Sequence, residues 1–125
     1  MKSQFLLPET VARHDGTGPE TALEQSSSDM LLLTLGITRI IEQESLDLTI
    51  WGSNSGGSWI QIAAFPQKFY CGTYSLLLNL KNHPDVKEIR AQWKMSRWGR
   101  GDLTPLFGFY LFAEEANVAV AAGGR

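Results

Sequence analysis

The sequence predicts an all-β fold: a jelly-roll β-sandwich of about eight antiparallel strands with extended termini. Three observations lead there. Apolar residues recur with a period of two in runs of strand length. Gly, Pro, Asn and Asp interrupt those runs at near-regular intervals. No run of helical length repeats about every 3.6 residues.

Residues 1–29 are polar and punctuated, by Pro8, by Asp15-Gly16-Thr17-Gly18-Pro19 and by Ser26-Ser27-Ser28-Asp29. The stretches 9–13 and 20–25 fit a first hairpin across the Asp15-Gly16-Thr17-Gly18 turn; the alternative is an extended arm that orders against a neighbouring subunit. The sandwich body is expected over 30–113. It opens with Leu31, Leu33, Leu35 and Ile37 on one face of a strand and Leu32, Thr34, Gly36 and Thr38 on the other. Both faces are partly apolar, the pattern of a central strand covered by another layer or by a partner. Glu42-Gln43-Glu44-Ser45 reads as a polar connection.

The next stretch is the clearest in the chain. Leu46, Leu48 and Ile50 alternate with Asp47, Thr49 and Trp51, Ser53-Asn54-Ser55-Gly56-Gly57 supplies a turn, and a second run starts at Ser58. This is a hairpin. Pro66 then ends the returning strand, since proline cannot donate to a ladder. Tyr74, Leu76, Leu78 and Leu80 mark a further inward face, followed by a turn at Lys81-Asn82-His83-Pro84-Asp85. Ile89, Ala91, Trp93 and Met95 alternate with Arg90, Gln92 and Lys94 in an amphipathic strand. Residues 96–105 form a long loop, 106–112 the last strong strand, and 114–125 an Ala/Gly tail.

A chain of 125 residues, 43% hydrophobic and with four tryptophans, can bury a single core without disulfides or metal. Its 11 basic and 13 acidic residues leave a net charge of −2, which gives no general attraction to nucleic acid or to an anionic membrane. No stretch approaches the roughly 20 apolar residues of a membrane span, and the N-terminal apolar run is too short for a signal peptide. The expectation is a soluble protein made in the cytoplasm, with no export address of its own. Cys71 is the only cysteine, so no intrachain disulfide forms. It reads as a structural thiol packed at a strand entrance.

No residues converge on catalytic chemistry. His14 and His83 fall in separate turns, and nucleophilic catalysis needs a base held beside a Ser or Cys. Two histidines and one cysteine give no zinc spacing, and the aspartates lack the alternating carboxylates of a calcium loop. Asp15-Gly16-Thr17-Gly18 lacks the lysine and helix of a phosphate loop. A non-enzyme without cofactor or metal is expected.

What remains is surface. Arg97-Trp98-Gly99-Arg100-Gly101-Asp102 carries the residue types that dominate binding hot spots, so Arg97, Trp98 and Arg100 are candidates for an interface or ligand rim. Trp98 folded over the core as a lid is the competing reading. Trp51, Phe69 and Tyr70, with Trp59, could form a platform for sugar rings; the same aromatics could equally supply core or subunit contacts.

Leu31 to Thr38, Leu46 to Ser53, the Gly-rich turn, Ser58-Trp59, Ala64-Phe65-Pro66, Gly72-Thr73-Tyr74 and Ile89 to Trp93 together resemble small jelly-roll structural proteins of bacteriophage head and tail gene clusters and their prophage-like relatives. The same framework is similar to discoidin-type, galactose-binding-like domains. The resemblance covers most of residues 30–112. It departs at Asn54-Ser55-Gly56-Gly57, where discoidin-like modules more often carry Asp-Gly, and in the length of the segment 98–105. No sugar-binding or metal-binding residue carries over. The resemblance implies a non-enzymatic structural or decorating subunit of a phage-derived or virion-like assembly, partnered by protein as a homo-oligomer or on a larger particle. The alternative is a carbohydrate-binding module with a glycan partner.

Overall fold

The computed structural model describes residues 3–23, 29–54 and 57–116. The described strands are β1 (Gln4–Ala12), β2 (Gly16–Thr17), β3 (Thr21–Ala22), β4 (Met30–Ile40), β5 (Glu44–Ser53), β6 (Trp59–Ala64), β7 (Gly72–Asn79), β8 (Glu88–Arg97) and β9 (Phe107–Glu115), with one short 3-10 turn at Leu80–Asn82. They form two antiparallel sheets. The first has the order β1-β9-β4-β7; the second runs β2-β8-β5-β6, with β3 also on β8.

The order identifies a jelly roll. β2 and β3 are two halves of one edge, interrupted at Gly18-Pro19 and held to β8 through the break by Gly18 N–H donating to the Ala91 carbonyl at 2.8 Å. Counted that way, every connection except the β5–β6 hairpin crosses from one sheet to the other.

Period-two alternation places the core. Leu31, Leu33, Leu35 and Ile37 of β4 and Phe107, Phe109, Leu111 and Ala113 of β9 point inward from the first sheet. Leu46, Leu48 and Ile50 of β5 and Ile89 and Ala91 of β8 meet them from the second. Trp93 joins this layer, its ring edge-on to Phe109 at 5.4 Å.

The N-terminal segments depart from expectation. Residues 9–13 and 20–22 do not pair with each other: β1 runs along β9 in the first sheet, while β2 and β3 run along β8 in the second. The Asp15 turn is a corner between sheets, and Trp93 fixes it by donating from Nε1 to the His14 carbonyl at 3.0 Å while its ring covers Gly16. Residues 24–28 lie outside the described residues. At the other end the chain stays in β9 through Glu115, past the expected start of the tail, and Ala116 N–H donates to the Met30 carbonyl at 2.9 Å. The rest of the tail, 117–125, lies outside the described residues.

The segment 42–45, expected as a polar connection, is already strand at Glu44, and both Glu44 and Ser45 are buried. Cys71, expected to pack, is exposed.

Candidate functional site

Three of the sequence candidates come together at one end of the sandwich. Phe69 packs against Tyr70 at 6.3 Å between ring centres and against Trp98 at 6.2 Å, edge to face. All three are exposed, Tyr70 by 72% and Trp98 by 56%. Trp98 therefore caps nothing: it belongs to a surface cluster, and the loop also exposes Leu103.

Two anchors position the cluster. Lys68 exchanges backbone hydrogen bonds with Leu46 at 2.9 and 3.0 Å, and the Tyr74 hydroxyl donates to the Tyr70 carbonyl at 2.8 Å, which fixes 68–70 across the sandwich end. On the other side, Trp98 N–H donates to the Gln43 carbonyl at 2.9 Å. Gln43 sits at φ 59°, in the left-handed region that non-glycine residues rarely adopt, so the corner between β4 and β5 accepts backbone strain where it receives the loop.

Arg97 is spent internally. Its Nε donates to the Glu42 carbonyl at 3.2 Å, and Nη1 donates to the carbonyls of Arg100 and Asp102. The guanidinium thus staples the loop to the corner and closes the loop on itself. Arg100 is exposed.

Asp102 completes the loop, its Oδ1 accepting from Thr104 N–H at 2.9 Å. The hydrogen bonds from the Thr104 side chain and backbone hold this carboxyl below the ordinary aspartate value of 3.8. With the folded pKa depressed, the carboxylate's contribution is present above the unfolded value and lost as pH falls through the lowered one. The Thr104 amide resonance is expected to titrate with a midpoint below 3.8. A midpoint at or above that value would show that the loop does not hold the carboxylate.

Trp51 is not part of this cluster. It lies half-buried on the outer face of the second sheet, with Nε1 donating to Thr49 Oγ1 at 2.9 Å. Trp59, on the same face, carries the Arg90 guanidinium 4.0 Å above its ring, and Arg90 also reaches Glu20 at 3.6 Å. The Glu88 carboxyl is pushed up by its hydrogen bond with Glu20, by desolvation and by Glu20's charge.

A third surface went unread as a unit in the sequence. On the outer face of the first sheet, Phe5 packs edge-on against Phe112 at 4.9 Å and Tyr110 at 5.8 Å. Leu32 and Leu77 stand directly opposite each other on β4 and β7, and Phe112 opposes Thr34 on β4. Gly36 is the floor of this face. Any Cβ there would lie 2.2 Å from the Tyr110 ring, so only glycine lets the ring lie against the strand. The two-sided apolar pattern of 30–38 was the available signal; the aromatic half comes from β1 and β9, distant in sequence.

Among the described residues no group of three or more His, Cys, Asp or Glu gathers as a metal site would, and no helix is long and apolar enough to cross a membrane. Compared with protein-family models, with curated proteins and with solved structures, the chain matches none.

Proposed function

We propose that this protein is a non-enzymatic jelly-roll subunit that assembles with copies of itself through the outer face of its first sheet. One observation carries the reading. Phe5 and Leu77 are 52% and 49% exposed, and with Leu32, Tyr110 and Phe112 they gather apolar groups on the outer face of a sheet whose other side already fills the core, interrupted in the rows of Leu32 and Phe112 by Thr34, Ser75 and Glu114. An outer sheet face is ordinarily polar. A contiguous exposed apolar patch marks a contact surface, and a symmetric dimer forms when such a patch meets its own copy.

Two further features support a structural role. The Phe69, Tyr70 and Trp98 cluster offers a second contact at the sandwich end, as a subunit of a larger particle requires. The polar groups beside it are committed to holding backbone, as Arg97 shows. The resemblance to phage head and tail proteins favours a phage-derived or virion-like assembly.

Light scattering behind size exclusion tests this directly. The chain is expected to elute at a multiple of 13.9 kDa that persists on dilution to micromolar concentration. The double variant Phe5→Asp, Leu77→Asp is expected to elute as a folded monomer, since both side chains lie on the surface and a buried charge at a contact is costly. A wild-type monomer at every concentration would overturn the reading. So would a double variant that keeps its oligomeric mass.

A further inference from the structure

The outer face of the second sheet holds a groove of about 310 Å³, lined by Asp47, Thr49 and Trp51 of β5, Gln61 of β6 and Gln92 and Lys94 of β8. Register organises it into three rows: Asp47 opposite Lys94, Thr49 opposite Gln92, and Trp51 opposite Gln61. Successive rows on one face of a strand stand about 7 Å apart, so the groove presents polar groups over roughly 14 Å.

Its chemistry is specific. Trp51 Nε1 is committed to Thr49 Oγ1, and the Thr49 hydroxyl in turn donates to the Gln92 carbonyl at 3.4 Å. The indole is thereby tied back toward Thr49 with its only polar atom used. It can offer a ligand hydrocarbon surface and no hydrogen bond. Asp47 is oriented by Gln67, whose Nε2 donates to Oδ2 at 3.0 Å. The carboxamides of Gln61 and Gln92 supply both donors and acceptors, and the charges of Asp47 and Lys94 face each other and offset.

A ligand that matches this surface has an apolar C–H face, many hydroxyl groups and no net charge. The geometry points to a binding site for a neutral saccharide chain, with one ring stacked on Trp51 and its hydroxyls taken by Gln61, Gln92, Asp47 and Lys94. Other occupants fit worse. Phosphate-bearing nucleic acid would need a run of cations, yet among the described residues the groove holds one, Lys94, with the carboxylate of Asp47 opposite it in register, and the neighbouring Arg90 is engaged by Trp59 and Glu20. A peptide adding as a strand needs an open sheet edge. The groove is centred on β5, whose backbone is paired on both sides by β6 and β8. The site lies on the sheet opposite the proposed assembly face and does not depend on it, although assembly would multiply its avidity.

Calorimetric titration of the full chain with cellohexaose, maltohexaose, mannohexaose and xylohexaose, with heparin as the charged comparison, tests the assignment. At least one neutral oligosaccharide is expected to bind and to shift tryptophan emission. Trp51→Ala is expected to weaken that binding about tenfold or more, as loss of a buried aromatic anchor does. Trp98→Ala, at the sandwich end, is expected to leave it unchanged. Should Trp51→Ala fail to fold by circular dichroism, the double variant Gln61→Ala, Gln92→Ala replaces it with the same expectation. No binding by any of the four neutral chains would overturn the proposal. Binding confined to heparin, binding that the groove variants leave intact, or binding lost with Trp98→Ala would overturn it too.

Discussion

Phe109→Ala is expected to lower the free energy of unfolding by about 3–5 kcal/mol, the range for truncating a fully buried phenylalanine. Phe109 has no exposed surface. It sits on β9, which is flanked by β1 and β4, and its ring reaches across the sandwich to Trp93 in an edge-to-face contact, 5.4 Å between centres and 78° between planes. Removing the ring opens a cavity where the two sheets touch through aromatic rings. Strands on both sides are hydrogen-bonded in register, so neither sheet can collapse to fill it. Urea denaturation followed by tryptophan fluorescence measures the loss, and a cost below about 1 kcal/mol would show that Phe109 is not between the sheets. The neighbouring Tyr110 gives the control. It lies on the opposite, outer face of the same strand and is only half-buried, so its replacement is expected to change association more than stability.

The second large effect is expected at Glu44, whose side chain is 1% exposed. Oε2 accepts the Ile41 N–H at 2.9 Å and Oε1 accepts the Leu106 N–H at 2.8 Å, so a single carboxylate joins the β4–β5 corner to the residue that enters β9. Glu44→Ala leaves two part-buried backbone donors without their acceptors. At about 1–3 kcal/mol for each, the expected loss is about 2–6 kcal/mol. Glu44→Gln keeps one carbonyl acceptor and is expected to lose less. The consequence reaches the surface cluster, because the same corner receives Trp98 through the Gln43 carbonyl and Arg97 through the Glu42 carbonyl. Hydrogen exchange is expected to quicken at the amides of Ile41, Leu106 and Trp98 in Glu44→Ala. Protection unchanged at all three would show that the carboxylate does not organise the loop.

These two residues also separate what each kind of reasoning reaches. Phe109 belongs to a run, 106–112, that reads as a strand, but apolar residues stand on both of its faces, so its inward direction is set by the sheet it packs against. Glu44 breaks the rule by which the sequence is read. A carboxylate in a stretch of Glu42-Gln43-Glu44-Ser45 looks solvated, and only the arrival of Leu106, 62 positions away, makes its burial favourable. The same distinction divides the candidate surface residues. Phe69 and Tyr70 are adjacent in the chain, but that Trp98 joins them and Trp51 does not is decided by the path of the loop and by which side of β5 faces out.

Alternation and turn residues alone were enough for the all-β class, the hairpin of β5 and β6 and the inward residues of β4, β5, β7 and β8. Those depend on side-chain alternation and turn chemistry, which act over a few residues. Long-range packing set the division of residues 4–22 between two sheets, the bracing of its own loop by Arg97, and the contrast between a largely apolar outer face on one sheet and a polar groove on the other. Each of these rests on pairing between strands far apart in the chain, as when β1 meets β9 and β2 meets β8. A local pattern tells a strand to bury one face; which strand lies beside it, and therefore what its other face becomes, is settled by the packing of the whole.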